Sequence, residues 1–511
     1  MSQSPSVPPH DGQRPPQVWD TRIEDRTPSS PPPPPTPGAP AAPGGRPFAD
    51  APTAPPGFGP APVFGPPESS GPAPGGAGKR RKALVIGLGL LLVAGAGTGG
   101  WLLWGRGGND PAPKKETVAR PVDAKLSWMA PVPTADRDRA DRMNTPWFTK
   151  DSIVITTRKE VTAFGLDDGK RKWTVQIPGR ACASSPRSDG GVAAVIFGTQ
   201  DFDCDKVMAI DLERGRELWS KPVVDAKGRT QSRDMANLHI EGGKVAVVDI
   251  VGDPYLYAAA DGKQSKAPDY GCQQQGSVVD RGRQLTLAQC ELISGRQFIM
   301  NVDPKTGLEK WTWKVLDGIA VKNVLSVNPP VLALGRENSI HTTELVSLDD
   351  KGRMRPLISM SAGPYDVSDC KPRLLDSCRK IVVDSDTVYL PTLNEKVAGD
   401  GATPNEIAAI DLTTGKPRWT VPLGGSRTNR PLAMHEGRLL VYQLATRQES
   451  GRVLSLDPRT GDSKVFMKMP QESAEREYKL ARSGTAYFRD GRLHLVTDLG
   501  MTDTTMIMTF Q

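Results

Sequence analysis

The sequence contains few of the residues from which catalytic and metal sites are usually built. It has five histidines and six cysteines among 511 residues, and no cysteine occurs before Cys182. No two cysteines are adjacent, no C-x-x-C pair is present, and the H-E-x-x-H, G-x-S-x-G and P-loop motifs are missing. Zinc sites and nucleophile–base pairs depend on such spacings, so the sequence predicts no catalytic residue and no metal ligand.

A region dominated by charge of one sign is also missing. The chain has 65 basic and 58 acidic residues and a net charge of +7, and residues 1–82 carry 8 of the basic and 6 of the acidic groups. Nucleic-acid-binding domains concentrate lysine and arginine on one surface. The mixed distribution here is typical of a solvated surface, so no nucleic acid is expected as a partner.

The N-terminal region differs in composition from the rest of the chain. Residues 1–78 hold 24 of the 48 prolines and almost no large aliphatic side chains, which predicts a disordered, proline-rich tail. Four cations at 79–82 then precede 22 uncharged residues, 83–104, which are long enough to cross a bilayer. Because cations favour the cytoplasmic side, we expect residues 79–104 to form a basic flank and a single transmembrane helix in the plasma membrane, with the N-terminus cytoplasmic. Residues 105–124 are expected to be a tether.

Residues 125–511 lack helical periodicity and instead repeat one phrase, which reads IAAIDLTTGKPRWTVPL around Gly415. Seven such phrases are separated by intervals of 46, 47, 45, 45, 63 and 46 residues. Each phrase joins two alternating runs through a turn that ends in glycine, where a positive φ is expected. The turn glycines are Gly169, Gly215, Gly262, Gly307, Gly352, Gly415 and Gly461. Units of this length with short strands predict four-stranded antiparallel sheets arranged radially as a β-propeller.

The phrase resembles the A-x-D-x-x-T-G-x-x-x-W repeat of quinoprotein-type propellers, and Ala409, Asp411, Thr414, Gly415 and Trp419 match it fully. The resemblance implies an all-β propeller over residues 125–511, in which each tryptophan packs on the neighbouring blade. The tryptophans with this expected role are Trp128, Trp173, Trp219, Trp311 and Trp419. The chain is also similar to membrane-anchored propellers of this type from high-GC Gram-positive bacteria, and to the propeller lipoproteins that assist outer-membrane protein assembly.

The number of blades depends on how the two ends of the propeller are used. After the seventh phrase come two more strand-like runs, and near residue 126 lies AKLSWMAPV, which resembles a tryptophan strand without its own turn. We expect residues 126–132 to complete an eighth blade beside the last strand, because this pairing removes both open edges. A seven-bladed ring is the alternative.

The six cysteines are expected to form disulfides, because they are even in number and lie beyond the predicted membrane helix. Pairing by sequence order gives Cys182 with Cys204, Cys272 with Cys290, and Cys370 with Cys378. Six cysteines allow 15 connectivities in principle, and proximity alone favours this one.

The resemblance also offers an enzymatic alternative, since quinoprotein dehydrogenases of this fold bind pyrroloquinoline quinone (PQQ) with calcium beneath two adjacent cysteines. This chain has no adjacent pair, so no cofactor is expected, and PQQ with calcium is the alternative. Asp201, Asp203 and Asp205 stand at alternate positions like the start of a calcium loop. The glycine and the closing glutamate of such a loop are missing.

These patterns predict a non-enzymatic binding or scaffolding propeller outside the cell membrane, which recognises an envelope protein, peptide or polymer through its face loops. A PQQ-dependent oxidoreductase is the first alternative. The second is a ligand sensor coupled to a cytoplasmic partner of the proline-rich tail, since PPPPPTP is typical of a segment that docks on aromatic grooves.

Overall fold

A computed structural model describes residues 122–133, 145–199, 204–223, 237–248, 254–290, 295–368, 370, 375–393, 404–498 and 505–511. All of them belong to the second of two units, Asn109–Gln511. The predicted tail, basic flank and transmembrane segment, residues 1–104, lie outside the described residues. Within the described ranges, no helix has the length and apolar character needed to cross a membrane.

The described chain forms eight sheets in succession, which confirms the predicted eight-bladed propeller. Two strands precede the first blade, β1 (Val122–Asp123) and β2 (Leu126–Pro131). Blade one contains β3 (Trp147–Phe148), β4 (Ser152–Thr156), β5 (Glu160–Gly165) and β6 (Arg171–Gln176), and blade two contains β7 (Arg180–Ser184), β8 (Val192–Gly198), β9 (Lys206–Asp211) and β10 (Arg216–Pro222). Blade three contains β11 (Asn237–Glu241), β12 (Lys244–Val248), β13 (Tyr255–Ala258) and β14 (Gln264–Ser265). Blade four contains β15 (Gln273–Asp280), β16 (Arg283–Gln289), β17 (Gln297–Val302) and β18 (Glu309–Lys314).

Blades five to eight continue the same order of strands. Blade five contains β19 (Ile319–Val327), β20 (Pro330–Arg336), β21 (Glu344–Ser347) and β22 (Ile358–Ser359), and blade six contains β23 (Val382–Val383), β24 (Thr387–Pro391), β25 (Glu406–Asp411) and β26 (Pro417–Pro422). Blade seven contains β27 (Asn429–His435), β28 (Arg438–Gln443), β29 (Arg452–Leu456) and β30 (Ser463–Lys468). Blade eight contains β31 (Gly484–Arg489), β32 (Arg492–Thr497) and β33 (Thr505–Phe510). One α-helix, α1 (Ala474–Ser483), and two short 3-10 turns, Met360–Ala362 and Gln471–Ser473, stand between described strands.

The middle strands of each blade are β-branched and apolar, and they form the core. In β4 the sequence SIVIT is buried at every position, because its two faces pack on two neighbouring blades. The apolar clusters accordingly lie between consecutive blades, such as the one that joins Val154 of blade one to Phe197 of blade two. From blade three to blade eight, the first strands of successive blades contact one another, so they line the axis of the ring.

The ring is closed by β2, which supplies the outermost strand of blade eight. It runs antiparallel to β33, with Leu126 opposite Phe510 and Trp128 opposite Thr509. This is the closure that the sequence predicts, and β2 ends at Pro131, one residue before the expected end. Every backbone edge in such a closed ring is short, which limits pairing with other chains.

The segment just before β2 differs from the prediction, which placed residues 122–124 in the tether. Strand β1 instead runs parallel to β30, with Val122 opposite Met467, and makes blade seven five-stranded. The Ala124 N–H donates to the Lys468 carbonyl at 2.8 Å, and the Lys125 N–H donates to the Gln511 carbonyl at 2.8 Å. The unpaired edge of β30 offers backbone groups that any extended segment can satisfy.

The repeated phrase is explained by its turn. In blade six the Asp411 carboxylate accepts hydrogen bonds from the N–H groups of Thr413 and Thr414, both at 2.8 Å, and Gly415 has a φ of +71°. Partial burial raises the pKa of Asp411, but the hydrogen bond from Arg418 and the two N–H donors outweigh it and lower the pKa to about 2. This aspartate therefore closes a turn.

Each tryptophan of the phrase packs on the turn glycine of the next blade. The Trp173 ring lies so close to Gly215 that a Cβ there would meet it at 2.1 Å. The indole N–H also bonds to the next blade where the turn allows it: Trp128 donates to the Leu166 carbonyl at 2.9 Å, and Trp219 donates to the Ala259 carbonyl at 2.9 Å. Both acceptors stand three residues before the turn glycine, so the Trp and the Gly form one inter-blade contact.

The boundary between blades four and five departs from this pattern. The Gly352 N–H donates to the carbonyl of Asp349, three residues back, whereas the Gly415 N–H donates to Asp411, four residues back. Trp311 still covers Gly352, but its buried indole N–H has no hydrogen-bond partner. In this shortened turn the Asp349 carbonyl accepts from the Gly352 N–H, whereas the carbonyl at the same place accepts from the indole N–H of Trp128, Trp219 and Trp419 at their boundaries.

Gly215→Ala is expected to destabilise the protein far more than Gly437→Ala. Both glycines have a positive φ, +65° and +73°, so each alanine has a backbone cost of about 1–2 kcal/mol. Only at Gly215 does the new Cβ meet Trp173, which adds about 1–3 kcal/mol of overpacking, whereas nothing lies within 4 Å at Gly437. Urea unfolding of the two variants measures the difference, and equal losses would contradict the inter-blade contact.

Candidate functional site

The two faces of the ring carry different connections. Because the strands of each blade are antiparallel, the phrase turns and the hairpins between first and second strands share one face, here called the turn face. The links between second and third strands and between consecutive blades share the other, here called the connector face. Two long links, the one between β22 and β23, of which 360–368, 370 and 375–381 are described, and the one at 469–483, both lie on the connector face.

Three disulfides reinforce this face, with the pairing that proximity in the sequence predicts. Cys182 bonds to Cys204 within blade two, Cys272 bonds to Cys290 within blade four, and Cys370 bonds to Cys378 in the link between blades five and six. The sequence separations are 22, 18 and 8 residues. Loops of this size contribute on the order of 3 kcal/mol each through the unfolded state.

Residues 375–379, which include Cys378 of the third disulfide, cross the axis of the ring. The Val324 N–H of blade five donates to the Leu375 carbonyl at 2.8 Å, and a Cβ on Gly276 of blade four would meet the Leu375 side chain at 2.9 Å. Four residues later, the Arg379 guanidinium donates to the Thr145 hydroxyl at 3.0 Å, just before blade one. Blade one stands opposite blade five in an eight-membered ring. The segment therefore spans the channel, and we call residues 375–379 with Cys370 the axial plug.

Polar contacts fix the plug on both sides. Arg379 forms an ion pair with Asp376 at 3.3 Å, and the Ser377 hydroxyl donates to the Asn323 amide oxygen at 2.7 Å. Tyr487 of blade eight faces this ion pair, and its burial raises the pKa of its hydroxyl to about 12. Leu375 is buried among apolar side chains of blades four and five. The plug is thus packed and hydrogen-bonded like a part of the core.

A polar pocket of about 330 Å³ opens on the connector face beside the plug. It lies where blades six and seven meet α1. Its lining includes four basic side chains and one acidic side chain, namely Lys380, Arg427, Arg430, Arg482 and Asp366. We call it the basic pocket.

Helix α1 is attached to blade seven through a buried carboxylate. Glu477 accepts a hydrogen bond from the Tyr442 hydroxyl at 2.7 Å and is reached by the Gly451 N–H at 3.1 Å. Burial raises the pKa of Glu477 to about 7, although these donors act in the opposite direction. The Arg430 guanidinium donates to the Ala481 carbonyl at 2.8 Å near the C-terminal end of the helix.

A sequence profile described as "Outer membrane protein assembly factor BamB" matches residues 110–313 and 205–464, which together span more than half of the chain. The chain belongs to this family. Among solved structures, BamB from Moraxella catarrhalis is 16% identical, covers 76% of this chain and 97% of its own, and has a TM-score of 0.45. No curated protein matches the chain significantly.

Quinoprotein enzymes also occur among the solved structures that are similar to this BamB-family propeller. Quinohemoprotein alcohol dehydrogenases from Pseudomonas putida HK5 and Comamonas testosteroni are 13% and 14% identical. Each comparison covers 76% of both chains at a TM-score of 0.45. The predicted kinship with quinoprotein-like repeat propellers is confirmed by the family match, while membrane anchoring and a Gram-positive type stay predictions.

The axial residues of this BamB-family propeller do not fit PQQ with calcium. The resemblance implies adjacent cysteines over a flat cofactor and carboxylates around the metal. Here the axis holds the Leu375 side chain and a disulfide between Cys370 and Cys378, and the Asp376 carboxylate is paired with Arg379. Among the described residues no three potential metal ligands cluster, and Asp201 and Asp203 lie outside the described ranges.

The residues predicted from sequence to have a role are distributed around the ring and do not form one site. The docking tryptophans and turn glycines lie at blade boundaries, and the cysteines form disulfides on the connector face. The axial plug and the basic pocket were not predicted. Their signals were the one long interval of 63 residues and the arginine-rich runs SRTNR and EREYKLAR.

Replacing Leu375 by alanine is expected to lower the free energy of unfolding by about 2–4 kcal/mol, because a buried leucine is removed from a packed site. The Val324 N–H, which donates to the Leu375 carbonyl, should exchange with solvent hydrogen faster in this variant. Leu393→Ala is the control, since Leu393 is 53% exposed. A loss below about 1 kcal/mol for Leu375→Ala would show that the plug is loosely held.

Glu477→Gln is expected to remove part of the pH dependence of stability. The pKa of Glu477 is raised from 4.5 to about 7 in the folded protein, so the folded state binds its proton more tightly. Its contribution is full below pH 4.5 and is lost as the pH rises to about 7, a change on the order of 3 kcal/mol. Urea midpoints measured from pH 4.5 to 8 should show a smaller decline in Glu477→Gln. The control is Glu475→Gln, an exposed residue of the same helix, which should decline like the wild type.

Proposed function

We propose that this BamB-family propeller is a non-enzymatic binding scaffold, which recognises an envelope protein, peptide or polymer through its connector face. The observation that carries the proposal is the axial plug. A propeller whose axis is filled by its own apolar and disulfide-bonded chain has its recognition surfaces on its faces.

The two faces differ in what they offer a partner. The turn face repeats one short turn at nearly every blade, because Asp and Gly are needed there for the backbone. The links on the connector face differ in length and sequence from blade to blade, and two of them carry long insertions, so this face supplies the chemical variety that recognition requires. The closed ring and the disulfides hold these insertions in fixed positions.

The proposed location follows from the sequence. Residues 83–104 would cross the plasma membrane once, leave the proline-rich tail in the cytoplasm and place the propeller outside. Three disulfides with no free cysteine among the described residues suit an oxidising compartment, which supports this location. The family description, outer membrane protein assembly factor, supports a role in the assembly of other envelope components.

A photocrosslinking experiment in cells tests which face is used. Benzoylphenylalanine is placed at Ile340 on the connector face or at Leu308 on the turn face, which are 69% and 68% exposed and therefore equally accessible. Discrete adducts are expected from the Ile340 position and a second connector-face position, Leu393, with none from Leu308. Equal labelling from both faces, or adducts from Leu308 alone, would contradict the proposal.

A titration of the oxidised full chain with PQQ and calcium tests the enzymatic alternative. The melting temperature and the quinone absorbance are expected to stay unchanged, because Leu375 occupies the axis. Stoichiometric, saturable binding together with dye reduction in the presence of alcohols or sugars would replace the scaffold proposal by a dehydrogenase.

A further inference from the structure

A second pocket lies on the turn face, at the boundary between blades four and five. Its volume of about 320 Å³ is at the lower end of the range for small-molecule sites. Strands of blade four form one side, and the turn between β21 and β22 of blade five forms the other. The lining residues are Arg283, Asn301, Lys310, Trp311, Asp350 and Lys351. We call it the turn-face pocket.

Trp311 brings to this pocket a hydrogen-bond donor for which the protein supplies no acceptor. At other boundaries the indole N–H donates to the carbonyl three residues before the turn glycine, as Trp128 and Trp219 do, both at 2.9 Å. The carbonyl at that place in blade five, on Asp349, accepts from the Gly352 N–H instead. Among the described residues, the buried N–H of Trp311 therefore has no partner.

Asn301 brings a second unpartnered group to the same pocket. It lies directly opposite Trp311 on the neighbouring strand, so the two side chains stand side by side on one face of the sheet. The equivalent position is alanine in blades one, two and six, namely Ala163, Ala209 and Ala409. Asn301 is only 6% exposed, and its amide oxygen has no hydrogen-bond donor in the described part of the chain. Blade four thus carries a buried amide at the boundary where the indole has no acceptor.

These two groups are complementary to a hydroxyl group. A hydroxyl both accepts and donates, so it can accept from the Trp311 N–H and donate to the Asn301 amide oxygen. If the amide is turned over, its nitrogen donates instead, and a hydroxyl accepts from it equally well. A buried polar group without a partner is unfavourable, and a ligand hydroxyl that bonds to both groups offsets this penalty.

The charged side chains of the pocket favour a neutral ligand. Arg283 forms an ion pair with Asp350 at 3.3 Å, and Lys310 forms one with Asp303 at 3.5 Å. With Lys351, three lining cations stand beside two carboxylates. An anion in the pocket would be attracted by the cations and repelled by the carboxylates. Hydroxyl groups, in contrast, can bond to both kinds of charged group.

We propose that the turn-face pocket binds a neutral saccharide. Its neighbouring hydroxyls would bond to Trp311, Asn301 and the charged side chains around them. Five of the six lining side chains are polar or charged, so an apolar peptide side chain would gain little there. The inference goes beyond the proposed function, because a small ligand on the turn face needs no partner on the connector face.

Calorimetric titration of the oxidised full chain, kept in a detergent without a sugar headgroup, tests this proposal. The neutral probes are cellobiose, maltose and N,N′-diacetylchitobiose, and inorganic phosphate is the anionic probe. Saturable binding of at least one disaccharide is expected, and added salt should not weaken it because the ligand is uncharged. No saturable heat with any of the three disaccharides would overturn the proposal. Binding of phosphate alone would also overturn it and indicate an anion site.

Nuclear magnetic resonance of isotope-labelled tryptophan locates the bound saccharide. The ten tryptophans each give an indole signal, and Trp311→Phe identifies the signal of Trp311 by removing it. The saccharide should shift this signal more than the others, because the Trp311 N–H gains an acceptor. A disaccharide that binds and leaves the Trp311 signal in place occupies a different site, which would contradict the proposal.

Asn301→Ala introduces the residue that lies opposite the tryptophan in blades one, two and six. It should weaken saccharide binding roughly tenfold, because a hydrogen-bonding group of the site is lost. The urea midpoint should stay the same or rise, because a buried amide without a partner is removed. Loss of affinity without loss of stability separates a binding role from a structural one.

The matched control is Thr509→Ala, at the equivalent position opposite Trp128 in blade eight. The Thr509 hydroxyl is hydrogen-bonded to the His494 ring at 3.0 Å, so this variant should lose stability and keep the affinity of the wild type. Wild-type affinity in Asn301→Ala, or an equal loss of affinity in Thr509→Ala, would show that the turn-face pocket is not the site.

Discussion

The contact between an outer-strand side chain and the turn glycine of the next blade is the constraint on which the rest of the propeller depends. A tryptophan can lie flat on that turn only because a glycine with positive φ leaves room for the ring. At boundaries without a tryptophan, other side chains fill the same place, with Pro268 against Gly307 and Pro356 near Gly415. A side chain of the preceding blade lies against the glycine of each of the seven phrase turns, which explains why the phrase is repeated.

The two faces of the ring are consequences of the same constraint. Every phrase turn needs nearly the same residues, so the turn face has little freedom to vary. The links on the connector face do not have to form this turn. On that face the chain forms the axial plug, α1 and the basic pocket. The turn face is thus uniform because it maintains the contacts between blades, whereas the connector face carries the varied side chains.

Much of the fold was predictable because the decisive patterns are local. The turn aspartate, glycine and tryptophan of blade six lie within nine residues, and each disulfide joins cysteines at most 22 residues apart. The ring closure was predictable from a tryptophan strand that had no turn of its own.

The plug and the pocket were not predictable, because their contacts join distant residues: Arg379 and Thr145 are 234 positions apart. Strand β1 was missed because the dipeptide Val122–Asp123 has no pattern, and only the free edge of β30 explains its pairing. At Trp311 the sequence phrase looks ordinary, yet a turn shortened by one residue leaves its N–H without a partner.

Closing the ring with β2 also determines when the molecule can finish folding during synthesis. Leu126 pairs with Phe510, so 384 residues must be made after the outermost strand of this blade before its partner exists. At a translation rate of about 5–20 residues per second, the strand waits roughly 20–80 s with an open edge. Seven blades can assemble in order during that interval, whereas the eighth can be completed only after β33 has been made. Chaperones and proteases that recognise unpaired strands therefore have this whole interval in which to bind the unpaired edge of β2.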